Sequence, residues 1–167
     1  MKVKINSLEN YKHIHLIGIG GVSMSAIAET LHRWGYMVTG SDSTQSEFTD
    51  KLVSSGVKVT IGHDLTNSKN ADLVVYSAAI KDNDPEMVLA KQFNIPIVSR
   101  GEFVGYLTRR YKESICISGT HGKTTTTSMI SLCFLEAHLD PTIQVGAVLK
   151  QINGKYTVGN SDYFILE

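Results

Sequence analysis

The stretch HLIGIGGVSMS, residues 15–25, decides the fold that we expect for the first part of this chain. A short β-rich run, HIHLIG at 13–18, ends in glycines, and an amphipathic pattern follows it directly. In that pattern Ile27, Leu31 and Trp34 have the spacing of one face of a helix. A strand, a glycine turn and a helix in this order predict the opening of a doubly wound α/β domain.

The same alternation of strand and helix continues beyond this opening. Short apolar runs predict further strands, and the segments between them have helical spacing or helix-capping residues. We predict strands at 37–42, 57–62, 71–79 and 95–100, and helices at 22–35, 46–56, 84–94 and 101–111. The pattern predicts a Rossmann-like, mostly parallel sheet that binds its ligands at the carboxyl ends of the strands.

The pattern restarts after the charged segment RRYKES, 109–114, which we interpret as a domain boundary. We predict a strand at 114–119, a helix at about 123–138, and strands near 142–148 and 162–167. The chain is therefore expected to contain a Rossmann-like domain, 1–108, and the truncated start of a P-loop-type α/β ATPase domain, 109–167. We expect truncation because so short a second domain would leave sheet edges exposed.

Composition excludes several classes of function. Lys plus Arg equals Asp plus Glu at 16 each, so no charge excess favours nucleic acid or an anionic membrane as partner. No apolar stretch approaches the roughly 20 residues that span a bilayer. Cys116 and Cys133 lie in apolar runs without paired or metal-binding spacing, which predicts buried, reduced thiols in a cytoplasmic protein.

The first glycine loop has the features of a diphosphate site. Gly18 and Gly20 match the first two glycines of G-x-G-x-x-G, Ser23 occupies the third position, and Gly21 adds a glycine. Unpaired amides at the helix N-terminus favour anions there. Asp42, at the end of the second strand, could accept hydrogen bonds from a ribose. Taken alone, the loop also fits an NAD-binding oxidoreductase, a nucleotide-sensing domain, or a turn without a ligand.

A second glycine loop, ICISGTHGKTTTT at 115–127, has the features of a triphosphate site. The strict pattern G-x-x-x-x-G-K-[ST] fails, because Ile117 stands where the first glycine should be. In the remaining core, backbone amides could hold phosphate oxygens, Lys123 could reach the β and γ phosphates, and Thr124 could ligate Mg²⁺. His121 could contact phosphate or only shape the loop. A dehydrogenase has no use for this loop, and a non-enzymatic interaction module explains neither loop.

Both loops together resemble a known family. GIGG at 18–21, GSD at 40–42, GH at 62–63, YSAAI at 76–80, GTHGKTT at 119–125 and YFILE at 163–167 are similar to the motifs of the Mur ligases of peptidoglycan synthesis. GTHGKT alone would indicate only the wider group of ATP-dependent ligases that includes folylpolyglutamate synthetase. The resemblance covers essentially the whole chain.

The resemblance implies a function for each loop. It implies an enzyme with a UDP-binding domain, a central ATPase and a C-terminal domain. Such an enzyme would join L-alanine to the lactyl carboxylate of UDP-N-acetylmuramic acid, with ATP and Mg²⁺, through an acyl phosphate. Much of the central region and the C-terminal domain would then be missing here. We therefore expect no ligation by this chain alone. We expect the first loop to be the one that binds its ligand, the UDP-sugar.

The resemblance also implies which residues form the sites. Lys123 would be the catalytic residue, by neutralising charge on the transferred phosphoryl group. Thr124 and Glu167 would be the magnesium ligands. The ATP-binding residues would be Gly119, Thr120, His121, Gly122, Lys123, Thr124 and Thr125. The residues for the UDP-sugar would be Gly18, Ile19, Gly20, Gly21, Val22, Ser23, Ser41, Asp42, His63 and Ser77.

Overall fold

The structure, a computed structural model, describes residues 7–167. The chain divides into two compact units, and the division falls between Tyr106 and Leu107, within a helix. Domains at 1–108 and 109–167 stay a prediction. No helix in residues 7–167 combines the length and the apolar character needed to cross a membrane.

Strands and helices alternate through most of the chain. The strands are β1 His13–Ile17, β2 Met37–Asp42, β3 Lys58–Ile61, β4 Leu73–Tyr76, β5 Ile97–Ser99, β6 Glu113–Cys116, β7 Thr142–Leu149, β8 Gly154–Thr157 and β9 Tyr163–Leu166. The helices are α1 Val22–Arg33, α2 Glu47–Ser54, α3 Pro85–Gln92, α4 Arg100–Arg110 and α5 Lys123–Glu136, with a 3₁₀ turn at Lys150–Ile152.

The first unit is built on a five-stranded parallel sheet in the order β3-β2-β1-β4-β5. The order reverses between β1 and β4, so the carboxyl end of β1 lies at a topological switch point. Leu73, Val74 and Val75 of β4 are completely buried, as expected for a central strand covered on both faces. This sheet confirms the predicted α/β, mostly parallel fold class.

Helix starts in the first unit follow the capping residues of the sequence. The Ser46 hydroxyl accepts a hydrogen bond from the Thr49 amide, and the Thr49 hydroxyl accepts one from the Ser46 amide, which forms a capping box for α2. Asp84 caps α3 through its Oδ1, which lies 2.9 Å from the Glu86 amide nitrogen, with Pro85 at the first helical position. Ser46 and Asp84, the first residues of the helices predicted at 46–56 and 84–94, are therefore the N-caps of α2 and α3.

Gly40 of β2 carries a packing constraint that the sequence pattern did not indicate. A Cβ at this position would lie 2.5 Å from Ile19 Cδ1 and 2.6 Å from the Leu16 carbonyl oxygen. The missing side chain leaves the space in which Ile19 is completely buried. The glycine loop that begins at Gly18 therefore packs its own apolar residue against β2.

The second unit has a four-stranded sheet in the order β6-β9-β7-β8. β9 pairs in parallel with both β6 and β7, whereas β8 pairs antiparallel with β7. β8 was not predicted, because GKYT has no alternating apolar pattern long enough to predict a strand. β8 follows a turn in which Asn153 has a φ of 48°, and it forms a hairpin with β7.

The prediction that both cysteines are buried is wrong. Cys116 and Cys133 are exposed free thiols. Cys116 ends β6, which is an edge strand, and α5 buries Thr127 and Ser131 rather than the stripe that contains Cys133. The apolar residues beside each cysteine in the sequence did not indicate which face of β6 or of α5 is covered.

We expect Gly40→Ala to destabilise the first unit by about 1–3 kcal/mol, because the new methyl group must displace Ile19 or the backbone of β1. The measurement is urea unfolding followed by the fluorescence of Trp34, the only tryptophan of the chain. Gly101→Ala in α4 is the control, since a Cβ there meets no atom within 4 Å. It should leave stability unchanged or raise it. Equal stability of Gly40→Ala and the native chain would contradict this packing argument.

Candidate functional site

The first glycine loop is held by the end of β2. The amide nitrogens of Gly18 and Ile19 lie 2.8 and 3.0 Å from the Ser41 carbonyl oxygen. The next amide, that of Gly20, donates to Asp42 Oδ2 at 2.8 Å. These three consecutive amides are therefore engaged within the protein.

The anion-binding capacity of this loop lies at the first turn of α1. Among the described residues, the backbone amides of Val22 and Ser23 have no hydrogen-bond acceptor, as expected for the first residues of a helix. Ser23 Oγ is also buried, and it has no hydrogen-bond partner within residues 7–167. Two amides, a hydroxyl and the positive end of a helix dipole fit a diphosphate.

The other residues predicted for the UDP-sugar take different positions. The Ile19 side chain belongs to the core, and the Gly21 amide faces the Gly18 carbonyl at 3.4 Å. Ser77 packs against Gly18, where a Cβ would lie 2.9 Å from Ser77 Cβ. Asp42 Oδ1 accepts a hydrogen bond from the Thr44 amide at 3.2 Å, so both Asp42 oxygens have partners. These contacts assign loop-shaping roles to Asp42 and Ser77, and a role in binding stays a prediction.

His63 lies just beyond β3, at the same edge of the sheet as Ser41. Its Nδ1 lies 3.0 Å from Glu86 Oε1, 3.4 Å from Asp84 Oδ2 and 3.5 Å from Ser41 Oγ. The other Glu86 oxygen, Oε2, lies 2.6 Å from His15 Nε2. Glu86 is therefore placed between two histidines, and it is completely buried.

The sequence analysis did not identify His15 or Glu86 as candidate site residues. Glu86 follows Pro85 at a helix start, where an acidic residue is ordinary, and His15 is one position of a β-rich run. A histidine inside an otherwise apolar strand was the available signal, because such a side chain needs a buried polar partner. The sequence gives no indication that this partner lies 71 residues away.

The pKa of Glu86 lies below its ordinary value of 4.5. Burial raises it, but hydrogen bonds from His15 and Ser41, together with the charge of His15, lower it by more. Glu86 is thus an ionised carboxylate whose desolvation is offset by donors.

His63, Asp84 and Glu86 also place one possible metal-ligand atom each within 4.8 Å of one another. We assign them as a hydrogen-bonded cluster, because every atom facing it already has a protein partner. Asp84 Oδ1 accepts from the Glu86 amide, Glu86 Oε2 faces His15, and Asn67 Nδ2 lies 3.4 Å from Glu86 Oε1. A cation is not required to satisfy these groups.

The second glycine loop connects β6 to α5 in the second unit. The Ile117 amide donates to the Leu166 carbonyl of β9 at 2.8 Å, which fixes the start of the loop. The first helical amides that follow, those of Lys123, Thr124 and Thr125, have no acceptor among the described residues. These unpaired amides fit an anion in the same way as those at the start of α1.

Two predicted side chains meet at this loop. Thr124 Oγ1 donates to Glu167 Oε1 at 2.9 Å, although the residues are 43 positions apart. Glu167 follows β9, the strand between β6 and β7, so the sheet order brings it to the helix start. The Lys123 ammonium donates to the Gly119 carbonyl at 2.5 Å and so lies over its own loop.

The residues around Glu167 fit a divalent cation. Glu167 Oε2 is buried and has no hydrogen-bond partner among the described residues. The Gly146 amide donates to Oε1, and a Cβ at Gly146 would lie 3.1 Å from Thr124 Oγ1. Mg²⁺ prefers oxygen ligands. The Thr124 hydroxyl and Glu167 Oε2, which accepts no hydrogen bond within residues 7–167, are oxygens of this kind.

The remaining loop residues are open to solvent. Thr120, His121, Gly122 and Thr125 are exposed, and no hydrogen bond from the His121 ring is found in residues 7–167. The structure leaves both hypotheses for His121 untested.

We expect acid to destabilise the first unit partly through Glu86. Because its folded pKa is lowered, the stability that ionised Glu86 contributes is complete above its ordinary pKa of 4.5 and is lost as the pH falls through the folded pKa. Glu86→Gln should therefore flatten the loss of unfolding free energy below about pH 4.5. Urea unfolding of the native chain and the variant from pH 7 to pH 3, followed by Trp34 fluorescence, measures this slope.

Glu47→Gln is the matched control, since Glu47 is an exposed carboxylate in the first turn of α2. Parallel slopes for the native chain and Glu86→Gln would show that Glu86 does not titrate differently on folding.

Comparison with known proteins places this geometry in a family. A family model described as the Mur ligase family, catalytic domain, matches residues 13–112, which is more than half of the chain. The UDP-N-acetylmuramate–L-alanine ligase of Clostridium novyi (strain NT) is 53% identical over 159 residues, which are 95% of this chain and 35% of that protein. The chain thus spans about a third of the length of the curated relatives that it matches.

Solved structures agree with this match. The UDP-N-acetylmuramate–alanine ligase MurC of Thermotoga maritima superposes with a TM-score of 0.83 at 34% identity, over 94% of this chain and 37% of that one. The UDP-N-acetylmuramate:L-alanyl-gamma-D-glutamyl-meso-diaminopimelate ligase of Neisseria meningitides also gives a TM-score of 0.83, at 26% identity, over 93% of this chain and 52% of that one. The chain belongs to the Mur ligase family.

Proposed function

We propose that this chain supplies the UDP-sugar site and the ATP loop of a ligase that joins L-alanine to UDP-N-acetylmuramate. The observation that carries the proposal is the contact between Thr124 and Glu167 beside the unpaired amides of α5. It supports phosphoryl chemistry rather than hydride transfer. The names of the curated relatives support the choice of substrates.

In the first unit, we assign the diphosphate of the nucleotide sugar to the start of α1. The Val22 and Ser23 amides and the unpartnered Ser23 hydroxyl would donate hydrogen bonds to its oxygens. Asp42 keeps the loop in shape by accepting from Gly20, which leaves the nucleoside to extend along the carboxyl edge towards β2 and β3.

In the second unit, the residues fit ATP and Mg²⁺. The amides of Lys123, Thr124 and Thr125 would bind phosphate oxygens, and the Lys123 ammonium would compensate their charge. Thr124 and Glu167 would hold the metal ion. The nucleotide, when bound, supplies the γ-phosphoryl group that activates the substrate carboxylate as an acyl phosphate for attack by the amine of L-alanine.

This function gives each unit a part of one reaction. The relatives have about two thirds of their length outside the matched region, and we expect ligation to require that remainder. Lys123 is the residue in this chain that we assign to catalysis. Because the reaction uses ATP and a nucleotide sugar, we propose a cytoplasmic location.

We expect UDP-N-acetylmuramate to stabilise the first unit. A ligand that binds only the folded state at about a hundred times its Kd adds about 2.7 kcal/mol to the unfolding free energy. Thermal unfolding followed by Trp34 fluorescence measures this shift. Ser23→Ala should reduce it, because the variant removes the unpartnered hydroxyl.

NAD⁺ is the comparison ligand and should give no shift. A Ser128→Ala variant serves as control, since it removes a serine of α5 in the second unit. Stabilisation by NAD⁺ together with no response to UDP-N-acetylmuramate would sink the proposal.

We expect Gly146→Ala to weaken the binding of Mg·ATP by roughly tenfold or more, as is usual for residues that orient metal ligands. The added methyl group would displace the Glu167 carboxylate and crowd Thr124. Titration calorimetry with ATP, with and without Mg²⁺, measures the effect, and binding without Mg²⁺ should change less.

Gly154→Ala in the same unit is the control, because a Cβ there has only ordinary contacts of 3.7–4.0 Å. Undiminished, Mg²⁺-dependent ATP binding by Gly146→Ala would exclude the metal site formed by Thr124 and Glu167.

A further inference from the structure

A chain of hydrogen bonds, buried at the contact between His15 and Glu86, crosses the first unit and ends at His63. His13 Nε2 and His15 Nδ1 each lie 2.8 Å from Thr39 Oγ1. His15 Nε2 then lies 2.6 Å from Glu86 Oε2, and Glu86 Oε1 lies 3.0 Å from His63 Nδ1. The proposed function uses none of these contacts.

The acceptors of this network define its donors. The Asn70 carbonyl, 2.7 Å from His13 Nδ1, can only accept, so that nitrogen donates. The Thr39 hydroxyl has one hydrogen and can serve only one of its two histidine neighbours, so the other neighbour donates from its own ring. The ionised Glu86 carboxylate can only accept, so His15 Nε2 donates to Oε2.

The acceptors around His63 determine which of its ring nitrogens donates. The Glu86 carboxylate also accepts from His15, and the Asp84 carboxylate caps the N-terminus of α3. Both carboxylates face Nδ1 and can only accept, so the proton of a neutral His63 lies on Nδ1. Nε2 is left with a free lone pair.

The position of His63 assigns a use to that lone pair. Nδ1 faces the buried Glu86, so Nε2 lies on the other side of the ring, and it makes no hydrogen bond within residues 7–167. The unpaired amides of α1, Asp42 at the end of β2 and His63 after β3 follow one another along the carboxyl edge. A nucleotide with its diphosphate at α1 extends its base in the direction of β3.

We propose that Glu86 is a positioning residue that holds His63 as the Nδ1–H tautomer, so that Nε2 accepts a hydrogen bond from N3–H of uracil. The inference rests on the proposed UDP-sugar site and explains the choice of base. Cytosine presents a lone pair at N3, which would oppose that of Nε2, and an N3-methyl group removes the donor. A site that is built to accept an N–H discriminates against ligands that lack it.

The tautomer is tested without any ligand. Long-range ¹H–¹⁵N NMR of the imidazole rings should show a neutral His63 protonated on Nδ1, and Glu86→Gln should add the Nε2–H form, because a carboxamide can donate or accept. Glu47→Gln is the control and should leave the spectrum of His63 unchanged. An imidazolium or an Nε2–H tautomer in the native chain would overturn the inference.

The choice of base is tested by calorimetry with UDP, CDP and N3-methyl-UDP. UDP should bind the native chain at least about tenfold more tightly than either analogue, and Glu86→Gln should lose most of that preference. Equal binding of the three ligands, or an undiminished preference in Glu86→Gln, contradicts the inference but leaves the UDP site intact. No binding of UDP to the native chain contradicts the proposed function, and the NMR result then still decides the tautomer.

Discussion

Three consecutive backbone amides, those of Gly18, Ile19 and Gly20, donate hydrogen bonds to the end of β2, and the carboxyl edge of the first unit depends on this contact. The contact fixes the path of the chain between β1 and α1. It also separates the amides of the loop into a set that holds the loop and a set that is free at the start of α1. An anion can use only the free set, because a backbone N–H donates one good hydrogen bond.

A buried carboxylate imposes a second constraint on the same unit. Glu86 is completely buried, and a charge in that position is tolerated only when donors surround it. His15 of β1, together with Asn67 and His63 of the segment between β3 and β4, supplies those donors. The polar network therefore connects β1, the segment between β3 and β4 and the start of α3, and it places His63 at the carboxyl edge of the sheet.

The second unit has the same kind of helix N-terminus, with additional charged side chains beside it. Unpaired amides and a hydroxyl occur at both loops, but of these two loops the α5 loop alone adds an ammonium group and a carboxylate oxygen that accepts no hydrogen bond within residues 7–167. A triphosphate with its metal ion needs these additional groups, because its charge has to be compensated at close range. In the proposed function, this difference gives each of the two glycine loops its own ligand.

The sequence by itself determined the α/β class, most strand and helix positions, the two glycine loops and the family resemblance. These depend on local periodicity, capping and turn residues, which lie close together along the chain. It did not indicate β8, the exposure of Cys116 and Cys133, the space at Gly40 and Gly146, or the partnership of His15 with Glu86. Only the tertiary structure decided these features, because each depends on contacts between different segments, and the periodicity of one segment does not specify its partner.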